Sequence, residues 1–270
     1  MGWGLPTEFI LEMYAVKAFS LPVFTGYVSR GIFLNMLRWV NPKLSEEYHK
    51  PNIMKPYSVT PLYFKRERLG KENKCLLNPN YPCLMRIRLL RDQDTGYLLD
   101  YFRKKNTVTV YGETLQISSI GVQTKDYEEL EKESKPVKKF RLYFKTPTYL
   151  ASLGLGYYEL FPDPIKVFPN LMRLWDQCTS TKKFGKQGLQ EYKGWLLKNM
   201  GVTEYQLKTR MVQMGRKKAV GFVGWVTYET KTIDEWNTTT IMLAKYAEYS
   251  NIGGNRTGGF GVTKILMKNQ

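Results

Sequence analysis

The chain's one histidine, His49, stands in the run Glu46-Glu47-Tyr48-His49-Lys50-Pro51, and Lys55 follows six residues later. Imidazole is the side chain best suited to pass a proton near neutral pH. Ammonium and guanidinium groups stabilise an anion whose charge is growing. His49 with Lys50, Lys55, Arg30 and Arg38 therefore has the makings of a site that cuts a phosphodiester. A lone histidine at a helix end also serves as a solvated or capping residue, and the residues by themselves leave both roles open. A single histidine excludes acid/base schemes that need two, and it excludes a histidine-rich metal site. Cys75, Cys83 and Cys178 are odd in number and far apart, with no Cys-x-x-Cys pair. That argues against a disulfide framework or a zinc ribbon and fits a reducing compartment.

The second motif is NIGGNRTGGFG, Asn251 to Gly261, in which Gly253, Gly254, Gly258, Gly259 and Gly261 make five glycines in eleven residues. Glycine lets the backbone take positive φ and approach a ligand closely, and successive free N–H groups can cradle an anion. The segment runs from a helix into a strand. A Walker loop needs Gly-Lys-Ser/Thr leading into a helix, and a Rossmann turn runs from strand to helix. Neither nucleotide fingerprint is met. Arg256 at the tip favours contact with a phosphate, and a plain helix-to-strand turn is the alternative.

Charge points the same way. The net charge is +17 over 270 residues, with 43% hydrophobic and 14% aromatic residues. Such a chain folds around a core and suits a polyanionic partner. Residues 1–135 carry a net +5 and residues 136–270 a net +12. The apolar stretch from Met1 to Phe24 is broken by Glu8, Glu12 and Lys17. It does not read as a signal sequence, and no 18-residue apolar run occurs. A cytoplasmic location and no membrane partner are expected.

The elements that must position these residues come in a repeated order. Phe19 to Ser29 reads as a first strand, with Tyr27 and Arg30 at its end, and Arg30 to Leu44 as a helix with apolar residues at helical spacing. Strands are expected over Lys55–Lys65 and Tyr81–Arg91, a helix over Asp92–Lys105, and one bent strand or a hairpin over Thr107–Val122. The charged stretch Lys125 to Pro136 reads as a linker or a solvated helical turn. Beyond it come a strand over Val137–Lys145 and helices marked by Phe168 and Trp175 and by Leu189–Met200. A hairpin of Glu204–Met214 with Ala219–Thr230 follows, then a helix over Ile233–Tyr249 and a last strand, Phe260–Met267. Alternation puts Lys139, Arg141 and Lys145 on one face of their strand, and Lys208 and Arg210 with Gln206 on one face of theirs. Such faces are either a positive surface or ordinary solvated sheet. The order fits an α+β chain of two tandem ferredoxin-like (RRM-like, β-α-β-β-α-β) domains with antiparallel sheets, at 1–124 and 137–270.

The segment IGGNRTGGFG resembles the C-terminal glycine-rich loop of the CRISPR-associated RAMP proteins. YHKPNIMKPYSVTPL (48–62), FKTPTYL (144–150), PDPIKVFPNLMRLWD (162–176) and GFVGWVTY (221–228) are similar to the Cas6 branch, the endoribonucleases that cut precursor CRISPR RNA within each repeat. The resemblance implies two ferredoxin-like domains gripping single-stranded or weakly structured repeat RNA. It implies cleavage by the ribose 2′-OH without a metal or cofactor, giving a 5′-OH and a 2′,3′-cyclic or 3′ phosphate. His49 and Lys55 match the family's histidine and lysine in position, implying acid/base and charge-stabilising roles. Where members carry a tyrosine on the first helix, this chain has Phe33, Leu34 and Leu37. Tyr27 and Arg30 are the nearest substitutes, and Arg30 or Lys50 could share the work of His49. Lys139, Arg141, Lys145, Lys208, Arg210, Gly254, Asn255, Arg256, Gly258, Gly259 and Gly261 are the expected RNA contacts. A non-catalytic scaffold that binds guide RNA in an effector complex is the competing reading. Effector-complex subunits and a second copy of the chain are further partners it allows.

Overall fold

The structure is a computed structural model and describes residues 6–51, 53–68, 73–151, 156–179, 181–214 and 217–267. Strand β1, Thr7–Ala15, alternates cleanly, with Phe9, Leu11 and Met13 fully buried. Each such side chain contributes about 1.5–3 kcal/mol by leaving water. It is followed by α1 (Gly26–Val40), α2 (Pro42–His49), β2 (Tyr57–Val59), β3 (Cys83–Leu89), α3 (Thr95–Lys104), β4 (Thr107–Val110) and β5 (Glu113–Thr124). The first sheet runs β2-β3-β1-β5-β4, all antiparallel. Without the outer β4, this is the ferredoxin-like order of second, third, first and fourth strand.

Two sequence expectations change here. The first core strand is Thr7–Ala15 and not Phe19–Ser29, of which only Phe19–Pro22 is extended. Tyr27 and Arg30 consequently sit in the first two turns of α1. The expected helix over Arg30–Leu44 is split in two at Asn41-Pro42. Proline is well placed in a first helical turn, and the Asn41 side chain caps the new helix by accepting from Leu44 N at 3.1 Å. The stretch Thr107–Val122 is a hairpin, turning at Tyr111 and Gly112, both with positive φ (53° and 83°), as a type I′ turn requires.

A short helix α4, Tyr127–Lys132, follows, and it is not merely solvated, because Tyr127 and Leu130 are buried in the second core. Then come β6 (Lys139–Thr148), α5 (Pro164–Cys178), α6 (Gly185–Asn199), β7 (Met200–Met214), β8 (Lys217–Thr230), α7 (Glu235–Ser250) and β9 (Thr263–Met267). The second sheet runs β7-β8-β6-β9, again antiparallel and again second, third, first, fourth. The fold is the expected pair of ferredoxin-like units, and each sheet has its own apolar core. Among the described residues, no helix is long and apolar enough to cross a membrane.

The glycine-rich segment between α7 and β9 bolts the two units together. Asn251, with φ of 58°, accepts from Arg88 Nη1 at 3.1 Å and donates to the carbonyl of Val59 at 3.1 Å. Arg88 is itself buried and paired with Glu8 at 2.6 Å. Ser58 Oγ donates across the same junction to the Tyr249 carbonyl. A buried ion pair of this kind is costly to break from one side, about 3–5 kcal/mol, so Arg88 is held in place to meet Asn251 across the junction.

Candidate active site

The start of α1 is fixed from both sides. Thr25 Oγ1 donates to the Leu62 carbonyl at 3.2 Å. At Gly26 the helix meets the glycine-rich segment so closely that a Cβ there would lie 2.0 Å from the Gly258 carbonyl oxygen. Tyr27 and Arg30, three residues apart, share one helix face. The Tyr27 ring lies against Gly258. Burial raises its phenol pKa, and the Arg30 charge partly offsets this.

Arg30 lines a pocket of about 340 Å³ together with Lys55, Asn170, Asn255, Arg256 and Thr257. Three cationic side chains thus meet in one pocket, and no carboxylate is among its lining residues. Lys55 is half-buried and donates to the Lys50 carbonyl at 2.7 Å. Its burial, and then the charges of Arg30 and Arg256, hold its pKa below the ordinary lysine range. Beneath the pocket lies Tyr57, fully buried and packed against Phe33 (4.4 Å) and Tyr48 (5.4 Å). Tyr57 Oη and Arg30 Nε are both enclosed without a hydrogen-bond partner. The Tyr57 hydroxyl nevertheless faces the side chains of Arg30 and Thr257, two residues of the pocket lining.

Arg256 is not the exposed tip that its place in the sequence suggested. It is 9% exposed and donates to the carbonyls of Ser250 (2.9 Å) and Lys55 (3.0 Å). It therefore fixes the backbone of Lys55 and lends its charge to the pocket from below. The glycines also differ from expectation. Gly258, Gly259 and Gly261 are buried against Tyr27, against Gly26 and Pro61, and against the Ile252 carbonyl. Their lack of a side chain is what allows this close protein packing. Gly254 and Asn255 stay partly open.

His49 and Lys50 lie exposed at the end of α2, outside the pocket lining. The helix end is pinned by Tyr48, whose buried hydroxyl donates to Asp94 Oδ2 at 2.5 Å. The Lys55–Lys50 hydrogen bond places the Lys55 ammonium one residue from His49 along the chain.

The basic strand residues share the outer face of the second sheet. Arg141 pairs with Thr227, which pairs with Glu204, so all three project to one side. Arg141 lies over the Trp225 ring at 3.6 Å and is paired with Glu204 at 2.9 Å. Lys139 is shared between Glu204 and Glu229, at 3.6 and 3.4 Å. Those two cations are already matched by carboxylates. Lys208 and Arg210, two and four residues past Gln206, are exposed on the same face. Lys145 reaches two clefts. One, of about 510 Å³, lies between the sheets and also holds Arg86, Arg88 and Lys264. The other holds Arg66 and Arg210. The tip of the hairpin at 215–216 lies outside the described residues.

Sequence reading missed Gly26, Tyr57, Asn170 and Thr257. Tyr57 carried a signal, as part of the Cas6-like segment 48–62. The others gain meaning only from what the fold brings beside them.

A family model described as the CRISPR-associated endoribonuclease Cas6 matches residues 142–263. That span runs from β6 through the glycine-rich segment and leaves His49 and Lys55 outside it. A curated CRISPR-associated endoribonuclease Cas6 from Streptococcus thermophilus is 25% identical over 126 residues, which is 47% of this chain. The match spans only half of that relative's length (50%). Among solved structures, a Cas6 product complex superposes with a TM-score of 0.80 at 19% identity, covering 97% of this chain and 100% of that one. Thermus thermophilus Cas6 superposes with a TM-score of 0.74 at 20% identity, covering 98% and 100%. The likeness to the Cas6 proteins read from the motifs is therefore present in sequence over the second unit and in fold over nearly the whole chain.

Proposed function

We propose that this Cas6-like chain is an endoribonuclease that cuts precursor CRISPR RNA within its repeats and needs no metal ion. The observation that carries the reading is the carboxylate-free pocket where Arg30, Lys55 and Arg256 meet. Such a pocket attracts a phosphate and, more strongly, the dianionic phosphorane formed on the way to cleavage.

The step is an in-line transfer. The ribose 2′-oxygen bonds to the adjacent phosphorus, the bond from phosphorus to the 5′-oxygen breaks, and a 2′,3′-cyclic phosphate remains. The 2′-OH loses a proton and the departing 5′-oxygen gains one. His49, at the end of α2, is the general acid/base for this exchange. Lys55 and Arg30 carry the charge stabilisation, and Arg256 holds Lys55 in place. RNA would be gripped by Lys145, Lys208 and Arg210 on the outer sheet face, with Lys139 and Arg141 available if phosphate displaces Glu204. DNA lacks the nucleophile and would bind without being cut.

The exposure of His49, outside the pocket lining, is the observation that favours the second reading, a scaffold that holds guide RNA without cutting it. One experiment separates the two. Purified protein and repeat RNA are incubated in EDTA, and the product ends are determined. Cleavage giving a 5′-OH and a cyclic or 3′ phosphate supports the enzyme. Tight binding without cleavage supports the scaffold, and cleavage only after Mg²⁺ is restored refutes the mechanism.

A further inference from the structure

Four aromatic rings form a file that leads from the core to the surface beside the cationic pocket. Phe24 meets Phe260 at 4.9 Å, Phe260 meets Tyr149 at 5.7 Å, and Tyr149 meets Tyr158 at 4.2 Å with 36° between the rings. Phe24 is half-buried, and from Phe260 outward exposure rises steeply. Phe260 is fully buried, Tyr149 is 7% exposed, and Tyr158 is 57% exposed. Tyr158 therefore has one face against Tyr149 and presents the rest of its ring to solvent. Tyr157, beside it, is 82% exposed.

The outer two rings of the file are held by backbone pairing and close packing. Tyr158 sits on a short strand, Tyr158–Glu159, that pairs with Leu150–Ala151. The Glu159 carboxylate is paired with Lys166. Gly254 lies flat on the Tyr149 ring, where a Cβ would come within 2.2 Å of Cε2, and Gly254 N donates to the Tyr149 carbonyl at 3.0 Å. The same three-residue stretch forms the pocket wall on its other side, because Gly253 and Asn255 line the pocket. The pocket and the aromatic file are thus two faces of one backbone segment.

A large exposed aromatic ring has a cost in water that burial or stacking recovers. Every nucleobase has a π-face that can stack on such a ring, whatever its sequence. We infer that Tyr158 is a stacking subsite for a nucleobase flanking the phosphate held in the pocket, with Tyr149 as its fixed backing. The inference rests on the proposed function, since it takes RNA as the occupant of the pocket. Stacking here would splay one base out of the strand, as in-line attack requires of the nucleotides around the cut.

The test uses repeat RNA with a 2′-deoxy residue at the mapped cut, so that it binds without being cleaved. 2-Aminopurine is placed on one or the other side of that position. With the wild-type protein, binding quenches the fluorescence of one of the two probes. Tyr158→Ala abolishes that quenching and weakens binding roughly 5- to 150-fold, the range for losing one base–aromatic stack, while Tyr158→Phe keeps both. Tight binding with neither probe quenched, or quenching unchanged in Tyr158→Ala, overturns the subsite and leaves the proposed function standing. A wild-type protein that does not bind the RNA at all overturns the proposed function itself.

Discussion

Gly26→Ala is the smallest change that separates the two halves of the pocket. The new methyl carbon would lie 2.0 Å from the Gly258 carbonyl oxygen, 2.8 Å from its carbon and 2.9 Å from Phe24 Cε1. Ordinary contact begins near 3.4 Å, so α1 and the glycine-rich segment must part by about 1.4 Å, the difference between those distances. The obstruction is backbone and cannot be relieved by a rotamer change. Overpacking of this size costs about 1–3 kcal/mol of stability, which the junction's other hydrogen bonds can withstand. Arg30 moves with α1, while Asn255 and Arg256 stay with the loop, and Lys55 follows Arg256 through its backbone bond. A misplacement near 1 Å in an active site costs about 10²-fold in rate. Single-turnover cleavage of saturating repeat RNA by Gly26→Ala should thus slow about 10²-fold. A thermal melt should show a protein that is still folded. Affinity should change little, because the outer face of the second sheet is untouched. A folded variant that cuts at the wild-type rate would show that the α1–loop junction does not build the site.

Other outcomes follow from the same geometry. His49→Ala should lower the single-turnover rate by roughly 10²–10⁴-fold if the imidazole exchanges protons with the RNA; a near-normal rate would move that work to Lys55, Lys50 or Arg30. The pKa of Lys55 is depressed by burial and by Arg30 and Arg256, so its charge is lost as pH rises through that lowered value. The cleavage rate should fall over the same alkaline window, and Lys55→Arg, which stays charged, should shift the fall upward. Identical alkaline limbs would remove Lys55 from the charge-stabilising role. The stability sign is the reverse, because charged Lys55 burdens the fold below its lowered pKa and the burden lifts as pH rises from there to the ordinary lysine range. Lys208→Ala with Arg210→Ala should weaken RNA binding and flatten its dependence on salt by about two phosphate contacts, measured by titration across salt concentrations; an unchanged slope would place the RNA path elsewhere.

The second unit was the more legible half. Its strand β6 alternates Phe140, Leu142 and Phe144 with Lys139, Arg141 and Tyr143, and the 3.6-residue spacing of α5 and α7 stands between clear turns. The first unit was harder because its opening strand, Thr7–Ala15, carries Glu8 and Glu12 on one face. Those carboxylates read as breaks in an apolar run, yet Glu8 is held by Arg86 and Arg88 on the neighbouring strand, a pairing that only the sheet creates. The site was legible in residue type and not in exposure. Lys55 and Arg30 do meet, although Arg30 does so from a helix and not from a strand end. Arg256 carried the right charge but is buried, because a glycine-rich loop that looks flexible in sequence is packed on both sides by Tyr27, Tyr149 and Pro61. Tyr158 had no signal at all, since its meaning lies in the ring behind it.

In the proposed reaction the RNA supplies its own nucleophile, and the protein holds the 2′-oxygen, the phosphate and the leaving oxygen in line. The most direct measurement compares, in EDTA, a repeat RNA with the same RNA carrying one 2′-deoxy residue just upstream of the cut. Equal binding is expected, with cleavage of the all-ribose strand and none of the substituted one. Cleavage of the deoxy-substituted RNA at the same bond would contradict it.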